Sequence, residues 1–299
     1  TRKFKLPNVT GYILAGILMR PYCLDMVPVK VIDGMDFLSD IALAFIAFST
    51  GEFFRFSVLK KNGWKVVVIT VMEAVLASVC VFAVVYGVLH LNLSFSIVLA
   101  ALASATAPAS TIMTIRQTGA KGDFVDTLLQ VVALDDVVGL VEYSAAISIA
   151  LAALSGGGFQ VGNILKPIFV NGAVLVLGGI FGWLLKCMMP KKKYKDNRLI
   201  ISVAALFAFC GICSLADVSP LLGCMSMGTI YINLSDDDKL FKQLNYFSPP
   251  ILLLFFVRSG LSFRLDALLN PSAGEDGASL LVIGVAYFLT RIIGKYAGA

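Results

Sequence analysis

Charge is what this sequence has least of. Asp, Glu, Lys and Arg make up 14% of its 299 residues, against about 25% in soluble domains. Histidine occurs once, as His90 at the end of an apolar run. A zinc or haem site built on imidazoles therefore has no ligand set. Cysteine occurs six times: Cys23 lies in a connection, and Cys80, Cys187, Cys210, Cys213 and Cys224 lie inside apolar runs. Cys210 and Cys213 have the spacing of a thiol redox pair. No strand–helix–strand pattern surrounds them, so they are read as small buried hydrophobes. What replaces charge is oil. The chain is 58% hydrophobic with a mean hydropathy of +0.88, the composition of a polytopic membrane protein. Its net charge of +5 is read as basic residues flanking membrane spans, not as a nucleic-acid surface.

A span needs about 20 apolar residues, fewer where helices are broken. Ten segments qualify: 7–20, 36–57, 66–89, 95–115, 124–154, 166–188, 199–217, 219–234, 248–267 and 278–299. Between the last two lies SDDDKLFKQLNYF (235–247), with Leu240, Phe241, Leu244 and Phe247 at helical spacing. That pattern predicts an amphipathic helix lying at the membrane interface. Ten crossings assign 16 lysines and arginines to one side, among them Arg2, Lys3, Lys5, Arg55, Lys61, Lys191, Lys192, Lys193 and Arg198. The other side receives four: Arg20, Lys30, Lys166 and Arg264. The basic side is expected to be cytoplasmic, and the membrane a cell inner membrane.

Segment one reads LPNVTGYILAGIL and segment eight VSPLLGCMSMGTI, with paired glycines five residues apart at Gly11 and Gly16, and at Gly223 and Gly228. Segment two carries FSTGEFFR and segment nine VRSGLSFR, which aligns Gly51 with Gly260 and Arg55 with Arg264. The two offsets, 212 and 209, nearly agree, and each pair of segments runs in opposite directions. This is the pattern of inverted-topology repeats. On that repeat, one further helix is expected before Thr1 and about two after Ala299.

The unusual chemistry lies at mid-depth. In SATAPASTIMT (104–114), Pro108 interrupts a span beside Thr106, Ser110 and Thr111. Either a proline kink satisfied by neighbouring hydroxyls or a functional break follows. A break would offer free carbonyls and half-helix ends to a cation. In VVALDDVVGL (131–140), Asp135 lies eleven residues beyond Phe124, roughly 16 Å along a helix and close to mid-bilayer. A charge there costs several kcal/mol. Asp135 and Asp136 point about 100° apart, so they occupy different environments. Glu52, Glu73 and Glu142 are also intramembrane, and Glu142 shares a face with Asp135; all three are read mainly as structural partners. Lys295 and Arg291 are four apart on the last segment, and Arg258 sits mid-way along the ninth. A buried lysine paired with an aspartate sits near a change of protonation state, whereas an arginine stays charged. Lys295 is accordingly the candidate titrating partner, and Arg258, Arg291, Glu73 and Glu142 are secondary candidates.

These residues together resemble the cation/proton antiporter superfamily, in the branch with an Asp–Asp motif. The resemblance runs through KLPNVTGYILAGILMRP, FSTGEFF, TAPAST, ALDDVVG, SPLLGCMSMG, FFVRSGLSF and RIIGKYAG. It implies an all-α inverted-repeat antiporter fold with crossed, discontinuous helices. It further implies a dimerisation domain from 1–61 and 197–268, a core transport domain from 66–154 and 278–299, and 166–188 as the linker helix. On that pattern sodium or protons bind at Asp136, Asp135 pairs with Lys295, and Thr106 and Ser110 lie at the unwound crossing. Some relatives carry an acid directly after that threonine; here the residue is Ala107.

The implied activity is exchange of sodium, or another monovalent cation, for protons by alternating access, in a homodimer and without a cofactor. A potassium/proton antiporter or efflux relative, and an organic-anion symporter of the same architecture, are the alternatives. An intramembrane aspartyl protease needs two carboxylates facing each other. Neighbouring acids on one helix do not supply that, so the chain is not read as an enzyme.

Overall fold

The fold was analysed in a computed structural model. It describes residues 8–20, 24, 26–57, 60, 63–106, 108–155, 161–189, 195–235, 237–263 and 279–299. Arg2, Lys3, Lys5, Cys23, Lys61, Ala107, Lys191, Lys192, Lys193 and Arg264, singled out above, lie outside these residues.

Apolar runs of this length form helices because, in a membrane, every backbone donor and acceptor must be satisfied within its own segment. The chain is helical throughout its described regular structure: α1 (Asn8–Met19), α2 (Val29–Asp33), α3 (Asp36–Thr50) running into a 3₁₀ turn (Gly51–Phe53), α4 (Trp64–Gly87), α5 (Leu93–Ser104), α6 (Pro108–Thr118), α7 (Asp123–Ser155), α8 (Val161–Met188), α9 (Lys195–Leu215), α10 (Leu221–Ser235), α11 (Asp238–Phe247), α12 (Pro249–Leu261) and α13 (Leu280–Gly298). Among the described residues four helices are long and apolar enough to cross a membrane, at Trp64–Gly87, Ile168–Met188, Asn197–Leu215 and Leu280–Gly298. The pair α11 and α12, bent by 50°, makes a fifth candidate. Each of the ten segments coincides with a helix, but helix length and composition do not by themselves make ten crossings.

Segment 95–115 is two helices. α5 stops at Ser104, and Ala105 turns extended (φ −70°, ψ 142°). α6 restarts at Pro108. Proline bars the helical conformation from the residue before it, yet suits the first position of a new helix.

The chain divides into two compact units. The first comprises 1–60, 108–126 and 171–263; the second, 61–107, 127–170 and 264–299. In the first unit Val9, Ile46, Leu252 and Phe256 form a core cluster. Glycines bring its helices into backbone contact. A Cβ at Gly16 or at Gly260 would lie 3.0 Å from the Cα of the other, which joins α1 to α12. A Cβ at Gly51 would lie 2.5 Å from the Met225 carbonyl oxygen, and one at Gly228 would meet the Phe48 carbonyl, which joins α3 and its 3₁₀ turn to α10. Gly228→Val is therefore expected to destabilise the protein by about 1–3 kcal/mol through overpacking, read as a lower melting temperature in detergent. Gly284→Ala, with nothing within 4 Å of the new methyl, is the control that leaves it unchanged.

The amphipathic helix expected over 235–247 is present as α11, with three of its four apolar positions packed inside the protein. Leu240, Phe241 and Leu244 are fully buried, with Phe241 stacked on Phe48 at 5.1 Å between ring centroids. The protein covers the stripe at these three positions, whereas Phe247 at its end is 44% exposed. The acids that open α11 are anchored too. Asp237 pairs with Arg198 and accepts from the Tyr231 hydroxyl (3.0 Å), and Asp238 pairs with Arg55.

In the second unit Val81, Val85, Leu91, Ala100, Ala103 and Ile283 form the core of α4, α5 and α13. Asn92 and Ser279 cap α5 and α13 by accepting from Ser94 and Leu281 backbone N–H groups. The five described cysteines, including Cys210 and Cys213, carry free thiols.

Candidate functional site

α13 lies along α4 because two glycines remove the obstacle. Gly294 and Gly298 are four apart, on one face of the helix. A Cβ at Gly294 would sit 2.7 Å from Ala77 Cα, and one at Gly298 would sit 2.5 Å from Glu73 Cα. Small residues at this spacing are how membrane helices approach closely. Lys295 lies between them, so its side chain emerges at the level of Glu73.

The result is a three-group cluster spanning α4, α7 and α13. The Lys295 ammonium donates to Glu73 Oε1 and to Asp135 Oδ2, each at 2.9 Å. Asp135 is 0% exposed, and its second oxygen, Oδ1, is buried with no hydrogen-bond partner among the described residues. With all three groups ionised, two carboxylates face one ammonium and leave one negative charge over. A single proton or monovalent cation cancels it. Buried ions are tolerated where such compensation is available.

Asp136, the next residue on α7, is half-buried and makes no hydrogen bond or ion pair among the described residues. It is turned away from the lysine by the 100° step of the helix, so the two aspartates do have separate surroundings. One turn on, Gly139 packs on the backbone break: a Cβ there would lie 2.8 Å from Ala105 Cβ. The end of α5, at Ser104 and Ala105, is thereby held against α7 one turn beyond Asp136. Ser110 lies on α6 in the first unit and is exposed.

The remaining candidates fall elsewhere. Glu142 accepts from the Ser78 hydroxyl at 2.6 Å. Arg291 donates to two backbone carbonyls of α5's end, Ala103 (3.1 Å) and Ala105 (2.6 Å). Arg258 belongs to α12 in the first unit. Sequence reading placed Glu73 among structural partners; here it shares the lysine equally with Asp135. The signal for it was the GKYAG spacing, which predicts close approach of α13 to another helix but does not say which.

The transmembrane model of sodium/hydrogen exchangers matches residues 1–299. No curated protein matches the chain. The structure of the sodium proton antiporter MjNhaP1 from Methanocaldococcus jannaschii at pH 8 is similar with a TM-score of 0.72 at 20% identity, covering 99% of this chain and 73% of that one. An electron-microscopy map of the same antiporter gives 0.74 at 19% identity, over 99% and 72%. At these identities the likeness is one of fold.

Proposed function

We propose, for a chain that belongs to the sodium/hydrogen exchanger family, that the cation it exchanges for protons is sodium. The observation that carries this reading is the cluster of Lys295, Glu73 and Asp135 with Asp136 beside it. It holds more carboxylates than ammonium groups, so it must take up a positive charge from one source or the other. Competition between a proton and a cation for the same carboxylates is what couples their flows.

In this reading Asp136 receives the sodium ion, with Thr106 at the interrupted helix as a further oxygen donor. Asp135 is the tether to Lys295. Sodium arriving at Asp136 displaces protons held by the cluster, and the loaded site then turns to the other side of the membrane. Glu73 holds the ammonium in place when Asp135 is neutralised. Glu142, bonded to Ser78, and Arg258 act structurally. Residues 66–154 and 278–299 make up the transport core and residues 1–61 and 197–268 the dimerisation domain of a homodimer, with 166–188 as the linker helix. The Lys- and Arg-rich connections face the cytoplasm of a cell whose inner membrane holds the protein.

The test is proton flux in proteoliposomes after a jump in external sodium, lithium or potassium, read by an internal pH dye. Sodium is expected to drive the flux and potassium not to. Flux driven by potassium alone would overturn the choice of ion. Absence of flux with every cation, together with uptake of a carboxylate or bile-acid-like anion, would overturn antiport in favour of anion symport.

A further inference from the structure

We propose that Arg291 is a positioning residue: it caps the carbonyl end of α5 permanently and so fixes the backbone leading into Thr106 relative to α7, which bears Asp136. The inference rests on the cation/proton exchange proposed above.

A helix that stops at membrane depth leaves its last carbonyls without intrahelical donors. It also carries about half a negative charge at that end, and there is no bulk water to satisfy either. α5 stops in this way at Ser104. Arg291 Nε donates to the Ala103 carbonyl at 3.1 Å, and Nη2 donates to the Ala105 carbonyl at 2.6 Å. The two acceptors lie on either side of Ser104, so the guanidinium spans the point where the helix ends. A rigid fork makes both bonds at once, which a single ammonium does not reproduce.

Ala105 is held from a second direction by α7, at Gly139, one turn beyond Asp136. Thr106 follows Ala105 directly and is half-buried. The orientation of the 105–106 peptide, from which Thr106 continues the chain, is therefore set by Arg291 on one side and by the helix bearing Asp136 on the other. Lys295, one turn along α13 from Arg291, is committed to Glu73 and Asp135 instead. The two bases thus divide the work. The arginine stays charged whatever the proton load of the site, so the cap does not change during the cycle.

Arg291→Gln and Arg291→Lys, assayed in proteoliposomes, test this. Arg291→Gln is expected to raise the apparent KM for sodium about tenfold, which is about 1.4 kcal/mol, and by more than it lowers the maximal rate. The number of protons per cation is expected to stay as in the wild type. Arg291→Lys, which keeps the charge and loses the fork, falls between. A wild-type KM in Arg291→Gln, or an altered proton number, overturns the proposal. If Arg291→Gln is not monodisperse on size-exclusion chromatography, Arg291→Lys decides: a raised KM supports the cap and a wild-type KM overturns it. Failure of both variants to fold also overturns it, in favour of a general structural role. Absence of cation-driven flux in the wild type would instead overturn the function proposed above. The cap is then read from thiol labelling of Thr106→Cys in a background without the native cysteines. Labelling is expected to speed up when Arg291→Gln is added, and an unchanged rate overturns the proposal.

Discussion

Asp136→Asn is expected to reduce sodium-driven proton flux to the level of protein-free vesicles. Asparagine keeps the shape of aspartate but neither binds a proton in this pH range nor offers a full charge to sodium. Both ions lose their site at once, so the loss is of exchange itself and not of one substrate. Folding should survive, because Asp136 is half-buried and joins no ion pair among the described residues. The melting temperature in detergent should stay within a few degrees of wild type. Asp135→Asn makes the contrast. It removes one of the two acceptors of Lys295, so it should lower the melting temperature while Asp136 remains intact. Sodium-driven flux retained by Asp136→Asn would remove that residue from the site and with it the assignment of separate roles.

The second large effect belongs to Lys295. Lys295→Met is expected to destabilise the protein by about 3–5 kcal/mol, the range for breaking a buried pair by deleting one partner. Methionine fills much of the space, so the loss is electrostatic: Glu73 and Asp135 are left facing each other, with Asp135 fully buried. Neutralising the acids should reverse it. Lys295→Met combined with Glu73→Gln and Asp135→Asn should recover more than half of the lost stability while staying inactive. Such non-additivity is what groups in one network show. A Lys295→Met variant as stable as wild type would mean that the ammonium is not compensating these carboxylates.

How far the sequence led differs from residue to residue. Hydropathy located a helix at each of the ten segments, since apolar runs in lipid have few other options. It did not fix the number of crossings, because α1, α5 and α10 are short and length is the only ruler hydropathy has. Pro108 announced the break in the fourth segment through its own stereochemistry. The stripe on α11 was legible as a stripe, but an apolar face buried by protein and one facing lipid obey the same period. Asp135 and Lys295 were paired through family resemblance, and spacing alone would not have done it. Glu73 was undervalued for a related reason: a lone glutamate in an apolar helix says that it needs a partner, and not which one. Arg198 was read as a topology signal and Arg55 as a topology signal and a repeat position, although both close ion pairs with the acids opening α11.

The glycine contacts of the first unit have a bearing on how the molecule is made. Gly16 meets Gly260, and Gly51 meets Gly228, so a helix from each end of the chain leans on one from the other. α1 finds its backbone neighbour only after the long stretch of chain up to Gly260 has been synthesised. Until then α1 and α3 wait with bare glycine faces, and any factor that shields those faces would govern the yield of folded protein. Two separately expressed pieces, divided after α7, should each be short-lived alone and should accumulate when they are produced together.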